Sequence, residues 1–222
     1  MIAVNHINGH ISANYITHKD LKPPFLCLII SGGHTNLVRV IDYNKAEILG
    51  KTRDDAIGEA FDKVARSVGL RISSVGPKID KLSLEGEPKF SLPVTHLEDY
   101  DFSFSGIKTA VINLNHKEPN INKADLCASF QKSATEMIIS NVRKAINEFK
   151  EKKIVLAGGV SRNSYIRGEF DKLSKELGIT VYYPEPILCT DNAAMIASSG
   201  YYEFIKGNFA GLDLNAVPNL KL

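Results

Sequence analysis

Two apolar runs, Phe25-Leu26-Cys27-Leu28-Ile29-Ile30 and Leu37-Val38-Arg39-Val40-Ile41, flank the polar hexapeptide Ser31-Gly32-Gly33-His34-Thr35-Asn36. Short β-branched runs joined through Gly-Gly predict a hairpin inside a sheet. A further strand is expected over 47–52. From Ile57 the period changes: Ile57, Ala60, Phe61, Val64, Ala65 and Val68 recur at helical spacing after Asp54-Asp55, and Gly69 closes the segment. Residues 71–122, punctuated by Gly, Pro and Ser, read as irregular and include the polar-aromatic run 100–109. A long helix is predicted over 123–151, with Leu126, Phe130, Ala134, Met137, Ile138, Val142, Ala145, Ile146 and Phe149 as its buried stripe. Ile154-Val155-Leu156-Ala157 reads as a buried strand. Gly158-Gly159-Val160 then turns into a helix over 164–177, and a strand follows over 180–183. Thr190-Asp191-Asn192 caps a last helix through 204. At the other end, Met1-Ile2-Ala3-Val4 reads as the tail of a buried strand. Asn5 caps a helix over 6–17, and Pro23-Pro24 ends that segment and marks a domain crossing. Strands alternating with helices give an α/β class.

Composition narrows the picture only modestly. The chain has 222 residues, 44% hydrophobic and 23% charged, with a formal net charge of +2. That is the make-up of a globular protein, long enough for a substantial core. No apolar run approaches the roughly 20 residues of a membrane span, and the first residues lack the layout of a signal peptide. Cys27, Cys127 and Cys189 are scattered among apolar neighbours and make neither a pairing framework nor a CxxC site. They read as reduced core thiols of a cytoplasmic protein. A charge of +2 neither suggests nor excludes nucleic acid, so an RNA partner would need a local patch or another subunit.

The candidate chemistry lies at four places. Paired glycines at 32–33 permit positive φ and remove Cβ atoms that would block a ligand. Neighbouring amides in such a turn converge on an anion, with the Ser31 and Thr35 hydroxyls as further donors at the rim. Gly158-Gly159-Val160 follows a buried strand and precedes a helix, the setting in which amides and a helix dipole meet a nucleotide or acyl phosphate. Asn163 stands at that helix start as a donor to a ribose or base; a plain packing turn is the alternative. His6 and His10, four apart on one helix face, can share a metal ion, and Asp191 on a loop is the best carboxylate to join them. A zinc-protease motif fails at once, because Ile7 stands where the base Glu belongs. Asp62 lies beside the stripe of its helix, either paired with a neighbouring Lys or accepting from ligand hydroxyls. His18, His96 and His116 read as surface residues.

Taken together and in order, several motifs resemble one family. They are Asn5-His6-Ile7-Asn8-Gly9-His10, Ser31-Gly32-Gly33-His34-Thr35, Gly58-Glu59-Ala60-Phe61-Asp62-Lys63, the run 102–109, Gly158-Gly159-Val160-Ser161-Arg162-Asn163 and the run 189–195. The family is the tRNA threonylcarbamoyladenosine transferases (TsaD, once described as O-sialoglycoprotein endopeptidases). The resemblance implies the actin-like ATPase fold shared with sugar kinases and heat-shock chaperones, two lobes closing on a nucleotide. It implies transfer of threonylcarbamoyl from threonylcarbamoyl-AMP to the N6 amine of the adenosine beside the anticodon, with no covalent nucleophile. By motif, His6, His10 and Asp191 match ligands to iron or zinc. Ile29, Ile30, Ser31, Gly32, Gly33, Asp62, Gly76 and Asn163 match the positions that hold the adenylate, or an ATP-like nucleotide. Implied partners are tRNA, a paralogous actin-like subunit and a small ATPase, with no membrane.

The chain departs from the family pattern in three ways. The family's amino-terminal lobe has no counterpart, so the second lobe is expected essentially complete and the first mostly absent. On that reading 1–22 is a stump of the first lobe with the metal-binding helix, 23–189 the second lobe, and 190–222 a helix returning to the first lobe plus a tail. A truncated form is the expectation, the activity of the chain by itself left open. The loop Ile72-Ser73-Ser74-Val75-Gly76-Pro77 is one residue longer than the family's and lacks one of its glycines, and Asn8 replaces a usual Glu. Two alternatives stand beside the enzyme: a non-catalytic nucleotide-binding scaffold, and a small-molecule kinase of the same superfamily.

Overall fold

The computed structural model describes residues 1–70, 75–217, 220 and 222, with the side chains of 75–77 left aside. The elements are α1 (His6–Thr17), β1 (Phe25–Ile30), β2 (Thr35–Asp42), β3 (Lys45–Lys51), α2 (Ile57–Ser67), α3 (Val75–Ser83) and α4 (Ser105–Lys117). They continue with α5 (Lys123–Phe149), β4 (Lys153–Ala157), α6 (Ser164–Leu177), β5 (Thr180–Tyr182) and α7 (Ala193–Ile205). The five strands form one sheet in the order β3-β2-β1-β4-β5. β1 pairs antiparallel with β2, from Phe25 opposite Val40 to Ile30 opposite Thr35, and β2 pairs antiparallel with β3. On its other edge β1 pairs parallel with β4, and β4 with β5.

β1 is buried along its whole length because it is covered on both faces. Its alternation divides the chain's two cores. Leu26, Leu28 and Ile30 join Leu156 and the stripes of α2, α5 and α6 on one face. Phe25, Cys27 and Ile29 join Val155 and the α1 residues Ile7, Ile11 and Tyr15 on the other. α1 therefore shares a core with the sheet, and the cis Pro23-Pro24 bond lies in the short link between them. α7 lies against α1, where Gly9 leaves room for Ile196 and the Ser198 hydroxyl donates to the Ser12 carbonyl at 2.9 Å. All three cysteines are free and buried, and burial pushes the Cys127 thiol up to about 12. No helix among the described residues is long and apolar enough to cross a membrane.

The hairpin, the long helix and the strand–turn–helix after β4 stand where the pattern predicts them. Gly69 closes α2 at φ 87°, the left-handed conformation glycine tolerates. Two expectations are corrected. Residues 1–4 form no strand. The second concerns the stretch read as irregular, whose described part, 75–122, holds α3 and α4. α2 itself starts without a side-chain cap from its own N-cap residue, and its Ile57 amide donates to Thr35 Oγ1 at 2.8 Å.

α4 owes its start to a residue fifty positions away. Asp54 accepts from the Phe104 and Ser105 amides at 2.8 and 3.3 Å and from the Ser103 and Ser105 hydroxyls. A carboxylate there satisfies orphan amides and complements the helix dipole. Partial burial raises the Asp54 pKa, but these four hydrogen bonds outweigh it and hold the group below the usual carboxylate range. A depressed folded pKa gives stability that is present above the unfolded value and lost as pH falls through the folded one. Asp54→Ala is therefore expected to cost about 1 kcal/mol at pH 7, the size of a lost cap. The gap should close in acid. Urea unfolding at both pH values checks this, and a cost independent of pH would contradict it.

Candidate metal centre and anion-binding turn

α1 begins on Asn5, whose Oδ1 accepts from the Ile7 and Asn8 amides at 2.8 and 3.4 Å. Starting there, the helix places His6 and His10 one turn apart on one face. His10 is 2% exposed, while His6 opens to solvent. Asp191 arrives from the loop before α7, held by Asn192, which caps that helix on the Met195 amide at 2.8 Å. The three side chains meet. His6 Nε2 lies 3.4 Å and His10 Nε2 3.2 Å from the same oxygen, Asp191 Oδ1. All three ligand atoms fall within 4.8 Å of one another.

Two ring nitrogens converging on one carboxylate oxygen make a donor set that suits zinc or iron. Burial, then the neighbouring His6, lowers the His10 pKa against the opposing pull of Asp191. His10 is thus held neutral, the form that ligates a metal. Its buried Nδ1 has no partner among the described residues, so the outer hydrogen bond that usually orients a ligating imidazole is not made there.

The turn after β1 closes on itself. The Ser31 amide donates to the His34 carbonyl at 2.9 Å, and the His34 amide to Ser31 Oγ at 3.1 Å. The amides of Gly32 and Gly33 donate to nothing among the described residues. A Cβ built on either glycine meets nothing within 4 Å, so the Cα side of both is open. Two details differ from the sequence reading. Neither glycine has positive φ, since a four-residue connection reverses the chain without it. Thr35 is no rim donor; it is buried, and its hydroxyl anchors α2.

Two glycines beside this turn have no room for a side chain. A Cβ on Gly58, at the start of α2, would lie 2.5 Å from the Ser31 carbonyl oxygen. One on Gly158 would lie 2.4 Å from the Ile30 carbonyl oxygen, and φ there is 86°. A Cβ on Gly159 would stand 3.7 Å from Thr190 Cγ2, next to the metal-site carboxylate. Both diglycine segments, the start of α2 and the Asp191 loop therefore meet around Ser31. The sequence signalled these glycines, but not which of them fill a packing role.

The remaining candidates fall into two groups. Ile29 and Ile30 are wholly buried, in opposite cores, so their side chains are closed to a ligand. Asp62 follows Gly58 by one turn on the same face of α2. Burial first, with Glu59 adding and Arg66 opposing, raises its pKa. Its neighbour Lys63 pairs with Asp55 and Glu59, leaving Asp62 without an ion pair among the described residues. Asn163 is engaged in packing: its oxygen caps α6 on the Ile166 amide, and its nitrogen donates to Gln131 Oε1 at 2.7 Å. Of Gly76 only its place in the first turn of α3 is described, and residues 72–74 of its loop lie outside the described residues. His18 is a joining residue rather than a free surface group, with Nε2 2.8 Å from the Tyr183 carbonyl. Sequence reasoning missed one group: His34, whose ring centroid is 6.5 Å from that of His6. Its place after Gly-Gly was the available signal.

Comparison with known proteins adds the following. The family model described as tRNA N6-adenosine threonylcarbamoyltransferase matches residues 1–198. A protein of that name from Clostridium botulinum (strain Kyoto / Type A2) is 57% identical over 229 aligned positions, covering 100% of this chain and 67% of the relative. One from Clostridium perfringens (strain SM101 / Type A) is 55% identical with the same coverage. Among solved structures, full-length HypF in a phosphate- and nucleotide-bound form superimposes with a TM-score of 0.74 at 15% identity, over 91% of this chain and 42% of HypF. HypF of T. kodakarensis gives 0.71 at 13% identity, over 93% of this chain and 37% of its own. At that identity the likeness concerns the fold alone.

Proposed function

This chain belongs to the tRNA N6-adenosine threonylcarbamoyltransferase family of actin-like ATPase fold, and on that premise we propose that it moves a threonylcarbamoyl group from threonylcarbamoyl-AMP to the N6 amine of the adenosine beside the anticodon of tRNA. The observation that carries this reading is the convergence of His6, His10 and Asp191, with the ring of His34, the residue after the two glycines, 6.5 Å from that of His6. The amides of Gly32 and Gly33 take the phosphate of the adenylate, and Asp62, one turn after Gly58 on the same face of α2, takes its hydroxyls. His6, His10 and Asp191 would hold iron or zinc, which would supply positive charge beside the acyl part of the donor. Positioning of acyl donor and amine supplies much of the remaining acceleration. Partner chains of this reading are a paralogous actin-like subunit and a small ATPase.

A scaffold subunit or a small-molecule kinase has no use for the histidine–carboxylate trio, and so the acyltransferase is preferred. The direct test mixes the chain, zinc or iron, synthetic threonylcarbamoyl-AMP and a tRNA transcript, with nucleoside mass spectrometry as the readout. Modified adenosine is expected. None, with the partner subunits also present, would sink the reading. Gly33→Val is expected to keep the fold, because its side chain enters open space, and to weaken AMP binding more than about tenfold by blocking amide approach. Unchanged affinity by calorimetry would remove the cradle.

A further inference from the structure

His34 occupies an unusual place for a side chain without a task. Its backbone is clamped on both sides: its amide and carbonyl bond Ser31, and the next residue, Thr35, is buried and bonded to the Ile57 amide. Its imidazole, half-buried, makes no hydrogen bond among the described residues, and its ring neighbour is His6 at 6.5 Å. It does not belong to the metal trio, whose ligand atoms lie within 4.8 Å of one another. The ring thus follows the free amides directly in the chain and lies 6.5 Å from the ring of His6 at the metal centre, on a clamped backbone and with two ring nitrogens unmatched among the described residues.

The chemistry of the donor fixes what lies there. In a carbamoyl–phosphate anhydride the reacting carbonyl carbon is joined to phosphorus through one oxygen. A phosphate seated on the Gly32 and Gly33 amides therefore brings that carbonyl beside the residue that follows them. We propose that His34 is a substrate-contacting residue whose imidazole hydrogen-bonds the reacting carbamoyl group between the glycine turn and the metal trio. This rests on the acyltransferase reading above and deepens it. In the step, the N6 amine attacks the carbonyl carbon and the new C–N bond forms. The C–O bond to phosphate breaks, its electron pair leaves on AMP, and the amine proton passes to solvent. The His34 N–H donates to the carbonyl oxygen while negative charge gathers on it, and keeps its own proton. A neutral imidazole has one donor and one acceptor.

The test uses the zinc-loaded full chain with two probes: AMP, and a non-hydrolysable threonylcarbamoyl adenylate with a sulfamoyl link. His34→Ala is expected to weaken the acyl-bearing probe about tenfold, the size of one hydrogen bond, with AMP affinity, zinc content and melting temperature unchanged. His34→Asn or His34→Gln, which keep an N–H at one or other ring-nitrogen position, should restore most of the loss. Equal weakening of both probes would overturn the proposal, as His34 would then only shape the turn. Loss of zinc would also overturn it, by making His34 a ligand. A wild-type chain that binds the acyl probe no better than AMP would overturn the acyltransferase reading itself, and this inference with it.

Discussion

Gly158→Ala is expected to destabilise the protein by about 4 kcal/mol, a large part of the roughly 5–15 kcal/mol that holds a domain folded. Two penalties combine. Gly158 has φ 86° and ψ 165°, a region open essentially to glycine, where another residue costs about 1–3 kcal/mol. Its new methyl would also sit 2.4 Å from the Ile30 carbonyl oxygen, at the end of the most buried strand. Overlap against backbone in a packed core adds about 1–3 kcal/mol more, because β1 is held by pairing on both edges and has nowhere to move. Gly159→Ala is the internal control, since its methyl meets Thr190 Cγ2 at an ordinary 3.7 Å. Urea unfolding should separate the two variants by more than about 2 kcal/mol. Similar midpoints would mean that the second diglycine is not a close-packing device.

His10→Ala is expected to lower zinc affinity by more than about 100-fold, measured by chelator competition and elemental analysis. Disturbing only the outer partners of a metal ligand costs 10–100-fold; removing the most buried of three ligands should exceed that. The imidazole is positioned by its burial and by the capped start of α1, and its loss leaves only the more exposed His6 and Asp191 to hold an ion. A stability measurement on the same variant separates loss of metal from loss of fold. Undiminished zinc in a folded His10→Ala protein would exclude the site.

How much of this was legible in the sequence depends on how local each cause is. The hairpin, α2 and α5 were, because their periodicity is carried by neighbours in the chain. The trio was legible too: helical spacing puts His6 and His10 together, and Asp191 was the carboxylate on a suitable loop. α4 was not, since it buries only Ile107 and Val111 of its thirteen residues and takes its cap from Asp54. α3 likewise hides behind Pro77 and a short apolar pattern, with Asp80 engaged far away at the Ser164 amide. The role of Thr35 was misjudged for the same reason, as nothing near it announces a bond to Ile57. Gly32-Gly33 and Gly158-Gly159 look alike as text. Their difference, open space beside one pair and the Ile30 carbonyl beside Gly158, exists only in the packed chain.

The most direct measurement is a crystal structure of the chain grown with zinc and the sulfamoyl-linked threonylcarbamoyl adenylate, with anomalous data at the zinc edge. The account predicts a zinc peak about 2.0–2.2 Å from Nε2 of His6, Nε2 of His10 and an Asp191 oxygen, with the sulfamoyl group, standing for the phosphate, on the amides of Gly32 and Gly33. Zinc bound elsewhere, or an adenylate seated on a different surface from the metal, would contradict it.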